Sequence, residues 1–183
     1  MTASHLAWYT VRASGYTALA LLTVSMVIGV LLGLRLQSPR WPRFLTNELH
    51  AFTSLVSLVF IAIHIATTIA DPYIGFGITG ALVPFATGYR TWAMAAGIVA
   101  TYLMVAVWLS SKLLRQIGWR RWRALHYSVF IVYMLAIVHT IWAGEDAGSG
   151  WGRWIAVASA SIVAAATSVR LVRIRDASAR SSA

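Results

Sequence analysis

The chain has 183 residues, of which 59% are hydrophobic and only 11% charged, with a net charge of +10 and a mean hydropathy of +0.72. Soluble globular domains have about a quarter of their residues charged, so this composition excludes a soluble domain and indicates a membrane protein that has the lipid bilayer as a partner. The absence of cysteine excludes disulfides, thiolate-held iron–sulfur clusters and covalently attached c-type haem.

Five apolar segments are long enough, or nearly so, to cross a hydrocarbon layer of about 30 Å, which takes about 20 residues. In chain order we predict helices at about 8–34, 46–70, 90–113, 121–143 and 151–172. The first is expected to be retained, because its apolar run exceeds that of a signal peptide and no clear A-x-A site follows. The fold class predicted is therefore all-α, a polytopic membrane bundle of five transmembrane helices that forms one domain over 1–183.

A connection of unusual composition follows the second helix. The stretch DPYIGFGITGALVPF, from Asp71 to Phe85, is too apolar for an ordinary exterior loop and too interrupted by glycine and proline for another span. We expect a short interfacial segment between helices two and three, within residues 71–89. It either covers the outer end of a functional site or connects the two helices along the membrane surface.

The basic residues are divided unequally between the two ends of the predicted helices. The side with the excess of Lys and Arg is cytoplasmic by the positive-inside rule, which explains the net charge without nucleic acid. We therefore predict a cell-membrane protein with its N-terminus outside and its C-terminus in the cytoplasm. Twelve of the fifteen basic residues lie on the cytoplasmic side, and Arg12, Arg90 and Arg153 on the other; the twelve are Arg35, Arg40, Arg43, Lys112, Arg115, Arg120, Arg121, Arg123, Arg170, Arg173, Arg175 and Arg180.

Four of the five histidines form two matched pairs. His50 and His64 are fourteen residues apart on the second helix, and His126 and His139 are thirteen apart on the fourth. Both helices run from inside to outside, so each level of the membrane receives one histidine from each helix, and the levels are about 20 Å apart. Neutral imidazole is a good iron ligand, and two imidazoles fill both axial positions of a haem. The pattern predicts two bis-histidine b haems per chain.

The angular positions fit this prediction unequally. On an ideal helix fourteen residues leave His64 about 40° from His50, whereas thirteen leave His139 about 140° from His126. The fourth helix therefore needs a π-type bulge, a tilt or a different approach to its haems.

Arginines near both levels are candidates to bind the haem propionates, because a guanidinium pairs with a carboxylate in a bidentate manner. Arg12 and Arg90 lie at the outer level, and Arg123, with Arg43 and Arg121, at the inner level. Interfacial snorkelling and the cytoplasmic excess of positive charge explain the same positions. The histidines also have an alternative, since they could form polar contacts in a haem-free transport or scaffold protein.

Besides the histidine pairs, four segments of the sequence are informative: WYTVRASGYTALALL, DPYIGFGITGALVPFATGYR, WRALHYSVFIVY and VHTIWAGEDAG. Together they resemble the ferric reductase-like transmembrane superfamily over roughly Trp8 to Gly148. That superfamily includes the haem domains of ferric reductases and NADPH oxidases and the membrane haem subunit of a bacterial periplasmic methionine sulfoxide reductase. By this resemblance His50 and His126 would hold an inner haem, and His64 and His139 an outer one.

The reductases and oxidases continue into a cytoplasmic domain that binds FAD and a nicotinamide dinucleotide, whereas this sequence ends at Ala183 and has no Walker A motif. Its one G-x-G-x-x-G match, GFGITG from Gly75 to Gly80, lies in the apolar connection and follows no predicted strand, so it does not indicate a dinucleotide site. We therefore expect a separate flavoprotein or quinol as electron donor and an acceptor on the outer face. The chain would be an oxidoreductase component whose own task is one-electron transfer. A monohaem, quinone-linked subunit of a periplasmic reductase and a haem-free membrane protein remain as alternatives.

Overall fold

A computed structural model describes residues 3–34, 42–71, 75–144 and 150–181. Two of the arginines predicted to be cytoplasmic, Arg35 and Arg40, lie outside the described residues. So do 72–74 of the outer loop and 145–149 of the connection before the last helix.

The described ranges form eight helices and no strand, and five stretches are long and apolar enough to cross a membrane. These five are α1, α2, α4, α6 together with α7, and α8, and the short α3 lies between the second and third. The all-α bundle of five membrane helices is thereby confirmed. The helices are α1 Ala3–Gly33, α2 Arg43–Ala70, α3 Gly77–Leu82, α4 Thr91–Lys112, α5 Leu114–Ile117, α6 Trp119–His126, α7 Val129–Ala143 and α8 Trp151–Ser181.

The interior of the bundle is small and its outer surface is apolar. The buried cluster draws residues from α1, α4, α7 and α8, and small residues such as Ala156 and Ser57 are fully buried where helices approach closely. Large apolar side chains such as Phe52, Ile131 and Met134 are exposed. This is the surface that a helix bundle presents to lipid rather than to water.

The helices pair in a way that leaves a gap between the two that carry histidines. α1 packs along α2 and α8, while α4 packs along α7. In the described part of the chain, α2 and α7 do not pack closely on each other. The histidine side chains of α2 and of the α6–α7 stretch can therefore approach each other across a space, with α1 behind α2 and α4 behind α7.

The fourth membrane stretch is interrupted directly after His126, where Tyr127 and Ser128 form a turn between α6 and α7. Ser128 N–H donates to Leu125 O at 3.0 Å and Phe130 N–H to Tyr127 O at 3.2 Å, which is the i→i−3 pattern of a 3₁₀ turn. Such a turn advances by about 120° per residue instead of 100°. The turn therefore overwinds the helix and brings His139 closer to the helix face that carries His126. A π bulge would underwind the helix and have the opposite effect.

The observed helix ends differ from those predicted from hydropathy at places where charged residues extend a helix. α8 extends to Ser181, beyond the predicted end near 172, and its arginine-rich last turns are exposed. At 1.5 Å per residue α8 is about 46 Å long, which is more than the hydrocarbon layer of about 30 Å. Its basic end therefore projects beyond the apolar layer.

Candidate functional site

The four paired histidines meet at two levels of the bundle, as the sequence spacing predicts. The ring centroids of His50 and His126 are 6.1 Å apart at an interplanar angle of 67°. Those of His64 and His139 are 6.2 Å apart at 87°. Each pair joins one histidine of α2 to one from the α6–α7 stretch.

These separations fit a metal ion held between two imidazoles. Two metal–nitrogen bonds of about 2 Å in line, with about 1 Å from each coordinating nitrogen to its ring centre, place the centroids about 6 Å apart. Both pairs match this length. In the part of the chain that the structure describes, no three His, Asp or Glu side chains come together as a metal-binding group, so each pair fits a two-ligand, axial type of site.

Backbone carbonyls of the neighbouring helices orient three of the four rings. His64 Nδ1–H donates to Val11 O at 2.9 Å, and His139 Nδ1–H donates to Ala93 O at 2.9 Å. His50 Nδ1–H donates to Ser25 O at 3.0 Å. A proton on Nδ1 leaves the Nε2 lone pair for a metal, which is the usual arrangement of a histidine ligand.

Each of these carbonyls is followed, one helical turn later, by a glycine that lies against the same imidazole. A Cβ on Gly15 would lie 3.0 Å from His64 Nδ1, one on Gly29 would lie 3.3 Å from His50 Cε1, and one on Gly97 would lie 2.5 Å from His139 Nδ1. The missing side chain therefore opens the helix surface and lets the ring reach the carbonyl four residues earlier.

His126 is held differently. Its Nδ1 is buried and has no hydrogen-bond partner among the described residues. The ring of Trp122 stacks on it instead, with centroids 4.8 Å apart and an interplanar angle of 27°. α4 has no glycine after Gly97, so at the inner level it offers no opened carbonyl like that of Ala93. The inner pair thus has one ring fixed by a carbonyl and one by stacking.

The outer pair lines a cavity of about 520 Å³. This volume lies in the range of cofactor and ligand pockets, and the wall includes His64, His139, Gly15, Gly97 and Arg12. A haem fits such a site because the cavity is largely apolar, the two Nε2 atoms are free to coordinate and a cation stands at its edge.

The predicted arginine partners are placed differently from one another. Arg12 lines the outer cavity, with its guanidinium carbon 3.5 Å from the ring centre of Trp8. Arg90 does not line this cavity, and its Nη1 donates to Trp142 O at 2.8 Å and Gly144 O at 3.1 Å. Arg90 thereby satisfies carbonyls at the C-terminal end of α7.

The inner arginines lie on the surface. Arg123 is exposed and its Nη2 donates to Tyr127 Oη at 3.3 Å. Arg43 and Arg121 are exposed as well. A propionate role for Arg12, Arg90 or Arg123 stays a prediction.

Gly15, Gly29, Gly97 and Trp122 were not predicted as residues of the site. A signal was present, because Gly15 and Gly29 are separated by fourteen residues, as His50 and His64 are. In an antiparallel hairpin equal spacings place both glycines opposite both histidines. The stacking of Trp122 has a weaker signal, its position four residues before His126 on one helix face.

The apolar helices define a multi-pass membrane protein with a bundle fold. The chain belongs to the ferric reductase-like transmembrane family, since the family model described as Ferric reductase like transmembrane component matches residues 14–137, more than half of the chain. Transmembrane electron transfer is the general role that this membership indicates. The matched range contains His50, His64 and His126 and ends just before His139. No curated protein and no solved structure matches the chain.

Proposed function

We propose that residues 1–183 form one haem domain that carries electrons across the cell membrane through two b haems. His50 and His126 hold the inner haem, and His64 and His139 hold the outer one. The observation that carries the proposal is the repeated pair geometry, with ring centroids 6.1 and 6.2 Å apart and a metal-ready Nε2 on three of the four rings.

The residues of the chain orient the ligands and exclude water. A haem held by these histidines would supply a one-electron couple. Carbonyls of α1 and α4 fix the rings, so little reorganisation accompanies a change of charge at the site. Apolar side chains line most of the outer cavity and limit the access of water there, and Arg12 in its wall would balance the negative charge of a propionate.

The proposed direction runs from the basic end of the bundle to the end with α3. Because the described residues form no strand, and therefore no strand–helix unit that binds a dinucleotide, electrons are supplied by a flavin or quinol bound elsewhere. The basic end faces the cytoplasm by the positive-inside rule, and the outer cavity faces an acceptor on the other side of the membrane.

Haem stoichiometry tests the proposal. We expect two b haems per purified chain in a pyridine haemochrome assay, and about half of that in His50→Ala or in His64→Ala, because one ligand of one pair is lost. His5→Ala is the matched control, since His5 lies on the exposed start of α1 outside both pairs. A wild-type protein without haem would refute the proposal.

A single haem at the outer pair is the second candidate. It is favoured by the cavity that contains His64 and His139 and by the unpartnered Nδ1 of His126 at the other level. In that case the wild type would bind one haem, His64→Ala would lose it and His50→Ala would keep it.

A further inference from the structure

Three aromatic rings lie one after another between the surface of the bundle and the inner histidine pair. Trp119 and Trp122 have ring centroids 4.7 Å apart at 34°, and Trp122 and His126 have centroids 4.8 Å apart at 27°. Trp119 is 58% exposed, whereas Trp122 and His126 are partly buried. The series therefore runs from solvent or headgroups to an inner ligand candidate.

The middle ring is held in place by a specific contact. Trp122 Nε1–H donates to Ser111 Oγ at 3.1 Å, which fixes the indole between α4 and α6. An interfacial tryptophan needs only an amphipathic position at the headgroup level. Interfacial anchoring alone therefore does not explain why Trp122 stacks on a histidine and donates a hydrogen bond to Ser111.

The exposed end of the stack lies in a strongly basic segment. Between Lys112 and Arg123 the sequence KLLRQIGWRRWR carries five basic and no acidic residues, and all five basic side chains are exposed. An acidic partner protein would be attracted to this surface, and its association rate would rise with that attraction and fall with ionic strength.

We propose that Trp119 and Trp122 are the path by which electrons reach the inner haem from an acidic donor protein that docks on the Lys112–Arg123 segment with its reduced flavin near Trp119. In each event the reduced flavin is oxidised by one electron and the ferric inner haem becomes ferrous, and no bond forms or breaks. This inference rests on the proposed function. Electron tunnelling weakens exponentially with the gap between groups, so rings in van der Waals contact shorten the effective distance.

The variants Trp119→Leu and Trp122→Phe test the path in lipid nanodiscs that contain the haem-loaded protein. Stopped-flow absorbance would follow haem reduction by photoreduced flavin mononucleotide, which serves as the probe, and by duroquinol in a parallel arm. We expect Trp119→Leu to slow reduction by the flavin roughly ten-fold and Trp122→Phe, which keeps a ring in the stack, to change it about two-fold or less. High salt should slow the flavin reaction with the wild type.

Trp108→Leu is the matched control, because Trp108 lies at the same end of the bundle and its ring contacts Lys112 rather than a histidine. Trp119 does not touch His126, so Trp119→Leu should leave the low-spin electron paramagnetic resonance signal and both haem midpoint potentials unchanged. In haem-free protein it should abolish the exciton couplet that two stacked indoles give in the circular dichroism spectrum.

Four outcomes would overturn the path. They are a wild-type rate with flavin in Trp119→Leu, an equal loss in Trp108→Leu, an equal loss with duroquinol, and a flavin rate that does not respond to salt. None of these outcomes changes the haem count of the wild type, so the proposed function, which that count tests, would stand. A wild type that binds no haem would overturn both.

Discussion

At the scale of single residues, a glycine decides whether an imidazole can reach a helix carbonyl. An ordinary helix covers each carbonyl with the side chain one turn later. Gly15, Gly29 and Gly97 remove that cover at three places, and at each of them a histidine donates its Nδ1 proton to the carbonyl four residues before the glycine. Three rings are thereby oriented by neighbouring helices and not by their own.

Replacing these glycines by alanine should weaken haem binding, and the loss should be larger where the new Cβ would lie closer to the imidazole. Gly97→Ala should reduce outer haem occupancy most, because its Cβ would lie 2.5 Å from His139 Nδ1, and Gly29→Ala should affect the inner haem least, at 3.3 Å from His50. We expect the first to cost about 1–3 kcal/mol of binding free energy, as overpacking does. Haem titration followed by absorbance measures the order.

Gly88→Ala is the control for this series, because a Cβ on Gly88 would meet no atom within 4 Å. It should bind both haems as the wild type does. Equal occupancy in Gly97→Ala and Gly88→Ala would contradict the orienting role of the glycine.

The two outer arginines should differ in their effect on the outer haem. Arg12 lines the cavity and Arg90 caps α7. Arg12→Gln should lower the midpoint potential of the outer haem, by about 50 mV for the loss of one charge near a partly buried site, because a positive charge favours the ferrous state. Arg90→Gln should leave the potential near the wild-type value and lower thermal stability. Spectroelectrochemical titration separates the two, and equal shifts would contradict the assignment.

At the scale of helices, a buried hydroxyl bond joins the first span to the fourth. Thr23 Oγ1 and Tyr133 Oη are 3.0 Å apart, and both side chains are almost fully buried. Tyr133 lies midway between His126 and His139 on the chain. The bond therefore fixes α7 against α1 at a height between the two histidine levels.

Removing this bond should destabilise the bundle without changing its haem content. Tyr133→Phe should lower the free energy of unfolding by about 0.6–1.7 kcal/mol, the range for polar contacts between membrane helices. Unfolding by sodium dodecyl sulfate in mixed micelles provides the measurement. Tyr9→Phe serves as control because Tyr9 is 54% exposed. A loss of one haem in Tyr133→Phe would show that the residue belongs to a ligand site instead.

Hydropathy and histidine spacing predicted the number of helices, their approximate limits and the two histidine levels. These features depend on local composition and on rise per residue, which are the same in any context. The 3₁₀ turn after His126 and the capping by Arg90 depend on which groups meet in three dimensions. The sequence could state only that α6–α7 needed an irregularity, because several distortions change an angular offset and tertiary contacts choose among them.

At the scale of the whole molecule, the orientation in the membrane is a prediction from the charge asymmetry, and cysteine labelling tests it directly. We expect Gln116→Cys to react with an impermeant maleimide only in inside-out vesicles and Gly88→Cys to react in intact cells. Both positions are exposed, and the chain has no native cysteine. Labelling of Gln116→Cys from outside would reverse the topology and exchange the inner and outer assignments.

The gap between α2 and α7 has a consequence for how the protein is made. Each histidine pair is divided between two helix pairs, α1 with α2 and α4 with the α6–α7 stretch. Contacts of α1 with α7, among them the Thr23–Tyr133 bond, already join the two halves, and a haem held in the gap would add a second link between them. Haem-starved cells would then hold a looser bundle with the gap unbridged, and membrane proteases would degrade that form first.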